Sequence, residues 1–227
     1  MAIYAIGDLH LSFGTNKPMD IFKGWDNHIK KLTKNWESTV GTDDTVVLCG
    51  DFSWAMSLPE TKLDFEFLCS LPGNKILLKG NHDYWWTTVT KMNEFLRAGG
   101  YENIGFLHNN SYIVDNALVC GTRGWLPDSK SGEDKKISVR EARRLKASFD
   151  YIKGDYPKYV FLHYPPVTKD LTANPIFETL MLEDVKLCCY GHLHSGSFHT
   201  AVQGNCYGIN YKLVSNDFVD FTPQRII

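Results

Sequence analysis

Residues 75–83 of the 227-residue chain read Lys-Ile-Leu-Leu-Lys-Gly-Asn-His-Asp. The run Lys75–Leu78 predicts a short buried strand, and soon after it comes a glycine followed by three polar side chains. Gly80 permits a sharp turn out of a sheet, because it has no Cβ to restrict its backbone. Polar residues after a buried strand are typical of sites at the carboxyl edge of an α/β sheet, so this stretch predicts both a sheet and a site.

The same arrangement recurs at four other strand candidates, three of which again have a glycine before the polar residue. These are Gly7-Asp8-Leu9-His10 after Ile3–Ile6, Gly50-Asp51 after Thr45–Cys49, His163 after Tyr159–Leu162, and Gly191-His192-Leu193-His194 after Val185–Tyr190. Because ligands gather at the carboxyl ends of strands in open α/β sheets, we expect the five strand ends to share one cleft.

Amphipathic stretches alternate with the strands and predict helices, which indicates an α/β protein. The helices are expected between Trp25 and Val40, from a capping box at Ser57-Leu58-Pro59-Glu60 to Gly73, from Val89 to Gly99-Gly100, and from a capping box at Ser138-Val139-Arg140-Glu141 to Ile152. Two further strands are predicted at Ser111–Val114 and Ala117–Cys120, and exposed loops at Pro127–Lys136 and Tyr164–Pro175. With no repeat or linker in view, residues 1–227 are predicted to form one domain.

Composition limits the classes of function. Hydrophobic residues make up 43% and charged residues 22% of the chain, as in globular proteins, and the formal net charge of −2 argues against a general polyanion-binding role. The six cysteines show no C-x-x-C spacing and are interpreted as reduced thiols. No targeting segment or membrane-spanning run is recognised, which favours a cytoplasmic protein.

The polar residues at the strand ends are oxygen and nitrogen donors suited to divalent cations such as Mn, Fe or Zn. The candidate ligands are Asp8, His10, Asp51, Asn81, His163, His192 and His194. Seven ligands are too many for one ion but fit two ions that share a bridging carboxylate, and a pair about 3.5–4 Å apart can activate water and clamp a phosphate. The charge of two such ions would exceed that of the two aspartates, which favours a hydroxide and a phosphoryl oxyanion.

The ordered set of motifs in this chain resembles the calcineurin-like metallophosphoesterase superfamily. The motifs are Asp8-x-His10, Gly50-Asp51, Gly80-Asn81-His82-Asp83, His163 and Gly191-His192-x-His194. They span most of the chain, and no ligand position departs from the pattern. The resemblance implies an α/β sandwich of two mixed β-sheets flanked by helices.

The resemblance also implies roles for individual residues. One metal would be held by Asp8, His10, Asp51 and His194, and the second by Asp51, Asn81, His163 and His192, with Asp51 as the bridge. His82 would contact the phosphate and protonate the leaving oxygen, and Asp83 would orient His82.

Three other features of the sequence allow two interpretations each. Arg123, at a predicted strand end, either binds a substrate phosphate or forms a surface salt bridge. The aromatic residues Trp54, Tyr84, Trp85 and Trp86 either stack on a nucleobase or pack beneath the loops. The basic segment Lys130–Lys146 is either a solvated helix face or a lid that steers an anionic substrate.

These patterns predict a metal-dependent phosphohydrolase that cleaves phosphoric mono- or diesters, or a nucleotide, through a hydroxide that bridges two metals. The alternatives are a catalytically idle metal-binding scaffold and a single-strand nuclease. Bound nucleic acid is disfavoured by the near-neutral charge, and the oligomeric state, the native metals and the substrate are left open by the sequence.

Overall fold

The computed structural model describes residues 1–126, 132–169 and 174–227. Its strands are Ile3–Ile6 (β1), Thr45–Leu48 (β2), Asn74–Leu77 (β3), Ile104–Phe106 (β4), Tyr112–Val114 (β5), Ala117–Thr122 (β6), Lys158–Leu162 (β7), Val185–Tyr190 (β8), Gly204–Cys206 (β9), Ile209–Leu213 (β10) and Gln224–Arg225 (β11). Its α-helices are His28–Thr39 (α1), Lys62–Ser70 (α2), Val89–Gly99 (α3), Gly132–Tyr151 (α4) and Pro175–Met181 (α5).

The strands form two mixed sheets, as expected. The first has the order β11-β1-β2-β3-β4, in which only β11 is antiparallel to its neighbour. The second has the order β5-β6-β7-β8-β10-β9, with parallel central strands and antiparallel pairs at both edges. Because parallel strands point the same way, their carboxyl ends meet at one edge of each sheet.

Three apolar clusters build the layers. Ile3 and Ala5 of β1 belong to a cluster shared with Val119 and Phe161 of the second sheet, so these side chains fill the space between the sheets. The alternate residues of β1 pack with α1, α2 and α3 on the outer face, and α4 and α5 cover the second sheet. Both faces of each sheet are therefore buried, which explains why the strands are continuous apolar runs in the sequence.

Most predicted elements are confirmed to within one or two residues, but four strands were not predicted. They are β4, β9, β10 and β11. Three of them are only two or three residues long, too short for a period-two pattern to be recognised. The helix α5 was also missed; Asn174 caps it by accepting hydrogen bonds from the backbone N–H groups of Ile176 and Phe177 (both 3.0 Å).

The predicted loop Pro127–Lys136 is wrong for its second half. Residues 132–136 are helical, since α4 begins at Gly132, and residues 127–131 lie outside the described part of the chain. Ser138 is therefore no N-cap but a buried residue within α4. In the other predicted loop, residues 164–169 lack regular structure and residues 170–173 are not described, but Pro175 begins a helix.

The first predicted capping box also differs from expectation. Leu58–Thr61 forms a 3₁₀ turn that leads into α2, and the side chain of Ser57 makes no capping hydrogen bond. The carboxylate of Glu60 instead accepts a hydrogen bond from the backbone N–H of Met56 (2.9 Å). By contrast, α3 ends as predicted, because Gly100 takes the left-handed conformation (φ 69°) that closes a helix.

Candidate metal centre

The polar residues that follow β1, β2, β3, β7 and β8 meet where the two sheets come together. The backbone N–H of Asp8 donates to Gly50 O (2.9 Å), and that of Gly191 donates to His163 O (3.1 Å). These bonds join strand ends within each sheet. Across the sheets, the backbone N–H of His192 donates to the carboxylate of Asp8 (3.0 Å to Oδ2). All seven predicted ligands belong to this one cluster.

Two glycines permit the close approach of the loops. Gly50 has a φ of 84°, and a Cβ at this position would lie 2.7 Å from Nδ1 of His163 and 2.8 Å from the Cα of Gly80. A Cβ at Gly80 would in turn collide with the carboxylate of Asp51. Only glycine allows these backbones to touch, so both residues are needed for the ligands to converge.

Asp8, His10 and His194 form one group of candidate ligands. Their donor atoms all lie within 4.8 Å of one another, and Nε2 of His194 is 3.7 Å from Oδ1 of Asp8. Asp8 and His10 are buried, and His194 is partly exposed. Three donors facing a common point from two sheets can hold one cation.

Asp8, Asp51 and His163 form a second such group, which shares Asp8 with the first. The carboxylate of Asp51 lies near a histidine of each group. Its Oδ2 is 3.6 Å from Nε2 of His163 and 3.9 Å from Nε2 of His10. Asn81 adds an amide oxygen 2.6 Å from Nε2 of His163 and 2.9 Å from Nδ1 of His192.

Hydrogen bonds from outside the cluster orient two of its histidines. Nδ1 of His163 lies 3.0 Å from the carbonyl oxygen of Cys49, which leaves Nε2 facing the site. Nδ1 of His194 lies 2.8 Å from Oδ1 of Asp217, which leaves Nε2 facing Asp8. A ring nitrogen held by a carbonyl or a carboxylate is characteristic of metal-binding histidines.

Asp217 was missed in the sequence analysis. It follows β10, a strand that was itself not predicted, and reaches the site because Gly7 N–H donates to Val214 O (2.7 Å) and Asn216 N–H to Gly7 O (3.0 Å). No local pattern marks this aspartate. Asp217 is brought to the site by the pairing of β10 with β8, which is visible only in the folded chain.

Four of the candidate ligands have strained backbones. Asp8 (φ 59°), His10 (φ 48°), Asp51 (φ 50°) and His192 (φ 72°) all adopt the left-handed region. Such conformations cost about 1–3 kcal/mol each and persist only where the surroundings impose them, most often at functional sites. Their concentration around one point supports a functional role for the cluster.

The electrostatics of the cluster favour added positive charge. Burial and the nearby Asp8 raise the pKa of Asp51 to about 8, because a second carboxylate charge is unfavourable there. Burial lowers the pKa of His10 and of His192 to about 3, so both are neutral imidazoles. Burial also disfavours charge on His194, but Asp8 and Asp217 outweigh it and raise the pKa of His194 to about 10. Two buried carboxylates, neutral imidazoles and an amide oxygen fit divalent cations.

Comparison with known proteins agrees with this geometry. The family model described as calcineurin-like phosphoesterase matches residues 1–196. The chain belongs to the calcineurin-like phosphoesterase family. The resemblance found in the sequence is confirmed. Asp217 lies beyond the matched residues.

Curated relatives match only parts of this chain. It is 37% identical over 79 residues to the gene 66 protein of Mycobacterium phage L5, a match over 34% of this chain and 37% of the relative. It is 29% identical over 131 residues to an uncharacterized protein of Methanocaldococcus jannaschii, over 55% of this chain and 65% of the relative. The chain therefore spans less than two thirds of either relative.

Solved structures share the fold along most of this chain. A phosphopantetheinyl hydrolase from Mycobacterium tuberculosis has a TM-score of 0.59 at 14% identity, covering 100% of this chain and 95% of that one. A protein from Thermus thermophilus has a TM-score of 0.54 at 17% identity, covering 84% of this chain and 80% of that one. At these identities the likeness concerns the fold.

His82 lies beside the cluster, but Asp83 does not orient it. The backbone N–H of His82 donates to Oδ1 of Asp51 (2.8 Å), and its ring centroid is 4.6 Å from that of Trp54. The carboxylate of Asp83 is fully buried and accepts hydrogen bonds from the backbone N–H groups of Asp51, Phe52, Ser53 and Gly80 and from the indole of Trp85. Among the described residues none of its hydrogen bonds comes from His82, so the predicted role is corrected: Asp83 holds the β2 and β3 loops together.

The tryptophans near the site pack rather than present a free stacking face. Trp54 lies against His10 (centroids 4.8 Å apart, planes 20° apart), with Nζ of Lys17 5.2 Å from its ring centroid. Trp85 is buried, and Trp86 packs against Phe106. These contacts support the interpretation that the tryptophans pack beneath the loops. Tyr84, by contrast, is 56% exposed, with its ring edge-on to His82 at 6.2 Å.

Arg123 follows β6 and adjoins the cluster through its backbone. Its carbonyl oxygen accepts hydrogen bonds from the N–H groups of His163 (3.1 Å) and Tyr164 (2.9 Å). Within the part of the chain that the structure describes, no carboxylate lies within ion-pair distance of its guanidinium, which disfavours the salt-bridge interpretation. Its role in binding substrate stays a prediction.

The described part of Lys130–Lys146 is not a separate lid. Residues 132–146 belong to α4, whose buried Glu141 accepts a hydrogen bond from Oγ1 of Thr122 (2.7 Å). Ser148 donates to Asn110 O and accepts from the N–H of Gly121 (3.0 Å), so α4 is bonded to the second sheet. The basic side chains of its outer face are exposed.

Among residues 1–126, 132–169 and 174–227, no helix combines the length and apolar character that crossing a bilayer requires.

Proposed function

We propose that this phosphoesterase hydrolyses phosphoric mono- or diesters, including nucleotides, at a centre of two divalent cations. The observation that carries the proposal is the position of Asp51, whose carboxylate lies between His10 and His163 and close to Asp8. A carboxylate that lies near a histidine of each group is suited to bridge a pair of ions.

The ligands divide between the two ions as the family pattern suggests. One ion takes Asp8, His10, Asp51 and His194, and the other takes Asp51, Asn81, His163 and His192. Mn, Fe or Zn suits these donors, and oxygen and nitrogen ligands alone do not distinguish among them. Asp217 and the carbonyl of Cys49 support the proposal, because they direct Nε2 of His194 and of His163 into the site.

When bound, the two cations lower the pKa of a water molecule and neutralise charge on the phosphoryl oxygens. In the reaction the oxygen of water bonds to phosphorus, the bond from phosphorus to the leaving oxygen breaks, and that oxygen takes a proton. His82 is placed to supply it, because its backbone is anchored on Asp51. Burial and the nearby His163 lower the pKa of His82, which makes its protonated ring a stronger acid.

The test uses protein stripped of metal with a chelator and reconstituted with manganese. Aryl phosphate monoesters and diesters are assayed side by side, and bound metal is counted by elemental analysis. We expect two ions per chain and turnover of at least one ester. In the Asp51→Asn variant we expect turnover to fall by about 1,000-fold or more, because the shared ligand is lost. The matched control is Asp43→Asn, which changes an exposed aspartate away from the cluster. This variant should leave both the number of bound ions and the turnover unchanged.

The same experiment separates the alternatives. Two bound ions with no turnover of any ester would support a catalytically idle scaffold. Degradation of single-stranded oligonucleotides in preference to small esters would support a nuclease.

A further inference from the structure

Three cationic side chains from different elements gather on the flank of the metal centre that carries Asn81 and His163. Lys79 follows β3 and precedes Asn81 by two residues. Arg123 follows β6, and its carbonyl oxygen bonds to the N–H of His163. Arg144 approaches from α4. Sheet pairing and helix packing thus place three cations, far apart in sequence, beside two candidate ligands.

Arg144 is linked to the end of β6 by a buried carboxylate. Glu141 accepts hydrogen bonds from Nη1 of Arg144 (2.8 Å) and from Oγ1 of Thr122 (2.7 Å), the residue before Arg123. Asp83, which follows the same strand as Lys79, is already engaged by five donors. Three cationic side chains beside two engaged carboxylates leave an excess of positive charge.

Arg123 is held in place, and its Nε has no acceptor among the described residues. Its guanidinium lies 5.1 Å from the ring centroid of Trp125, and the indole N–H of Trp125 donates to Oδ1 of Asp134 (3.0 Å) at the start of α4. Its Nε is buried, and within residues 1–126, 132–169 and 174–227 it has no hydrogen-bond partner. A buried donor on a charged group without an acceptor is rare in folded proteins, so it suggests that a ligand supplies the acceptor.

We propose that Lys79, Arg123 and Arg144 form an anion subsite for a second phosphoryl group, linked to the one that is hydrolysed. The inference rests on the proposed function, because the metal centre must hold the first phosphoryl group. A planar guanidinium binds two phosphate oxygens at once, and further cations nearby suit a group with several charged oxygens. The substrate class is therefore a compound with a phosphate–phosphate linkage, such as an ester of a nucleoside diphosphate.

The test compares two nucleotide analogues that differ by one phosphoryl group and carry CH2 in place of the 5′ oxygen, so that neither has an ester bond to hydrolyse. Binding of these analogues of adenosine monophosphate and of adenosine α,β-methylene diphosphate to the manganese-loaded protein is measured by calorimetry in excess manganese. Because the nucleoside is common to both, its contacts cancel in the ratio of dissociation constants. We expect the diphosphonate to bind about tenfold tighter or more, and Arg123→Gln to remove most of that difference.

Arg143→Gln is the matched control, because Arg143 is an exposed arginine that lies on α4, as Arg144 does, but outside the cluster. It removes the same charge and should change the ratio by less than about twofold. Circular dichroism and thermal unfolding verify that Arg123→Gln is folded. Arg123→Lys, which keeps the charge but not the planar fork, should give an intermediate ratio.

Equal binding of the two nucleotides, or an equal ratio in the wild type and in Arg123→Gln, would overturn the subsite. This outcome is distinct from failure of the proposed function. A protein that hydrolyses aryl esters but shows a ratio near one keeps the function and loses the subsite. A protein without turnover that still shows the Arg123-dependent ratio keeps the subsite and loses the catalytic proposal.

Discussion

Single side chains at the centre divide into those that face the site and those that hold its loops. His82 and Asp83 are adjacent in sequence, yet their environments differ. The ring of His82 lies among His10, Trp54 and Tyr84, whereas Asp83 is buried under five hydrogen-bond donors. The contacts therefore support an acid role for His82 and a structural role for Asp83.

Replacing His82 with asparagine tests the acid role. A poor leaving group needs a proton in the transition state, whereas p-nitrophenolate leaves without one, and general acid catalysis contributes about 100- to 10,000-fold. We expect kcat/KM of His82→Asn to fall by about 100-fold or more on alkyl phosphate esters and by about tenfold or less on p-nitrophenyl esters. The measurement is steady-state hydrolysis of both ester classes by manganese-loaded protein.

The exposed His199 supplies the matched variant, His199→Asn, which should leave both ester classes unaffected. Equal losses on alkyl and aryl esters in His82→Asn would show that the ring orients the phosphate and does not transfer the proton.

One strand, β3, links the site to the stability of the first sheet. Its carboxyl end leads to Asn81, and near its other end Lys75 is 1% exposed, with its ammonium donating to the carbonyl oxygen of Leu71 after α2. Burial lowers the pKa of Lys75 to about 8 from 10.5. Keeping this buried amine charged is unfavourable, so the contribution of Lys75 to the free energy of unfolding depends on pH.

The sign of this pH dependence follows from the two pKa values. Between about pH 8 and pH 10.5 the unfolded chain holds the proton and the folded chain releases it, so stability rises with pH. Relative to Lys75→Met, the wild type should gain up to about 1.4 kcal/mol of unfolding free energy per pH unit in that window. Urea unfolding at pH 7, 8.5 and 9.5 measures the difference.

For comparison, Lys91→Met removes an exposed lysine and should track the wild type at every pH. Parallel stability curves for the wild type and Lys75→Met would mean that Lys75 keeps its proton in the folded protein.

Across the molecule, the metal centre joins the two sheets. Asp8, Asp51 and Asn81 follow strands of the first sheet, and His163, His192 and His194 follow strands of the second. Ions bound by both sets, as proposed, would stabilise the contact between the sheets. Because the ligands converge only in the folded chain, binding favours the native state.

Removal of the metals should therefore destabilise the whole fold. At a free metal concentration about 100 times Kd, binding contributes about 2.7 kcal/mol, and for a chain of this size that corresponds to a Tm shift of about 5 °C or more. Calorimetric scans of manganese-loaded and chelator-treated protein measure the shift. The Asp43→Asn variant should keep this Tm shift, and the Asp51→Asn variant should lose most of it. Identical scans for the manganese-loaded and the chelator-treated wild type would contradict metal binding where the two sheets meet.

Much of the fold and of the site could be predicted because the signals are local. Each main strand is a short apolar run, and the glycine and polar residues at its end follow directly in sequence, as in Leu78 to Asn81. The convergence of the seven candidate ligands then follows from the rule that parallel strands end at a common edge. Local signals failed where contacts override propensity: Ser138 resembles an N-cap but is buried within α4.

The sequence by itself determined the class of fold, the family and the residue types at the centre, because strand periodicity and motif spacing reside in neighbouring residues. Only the tertiary structure decided which partners those residues meet. Asp217 reaches His194 through β10, Asp83 bonds to the loop after β2, and Arg144 of α4 meets the end of β6 through Glu141. The physical reason is that hydrogen bonds and charge interactions depend on distance in space, which the packing of two sheets and α4 sets and the order of residues does not reveal.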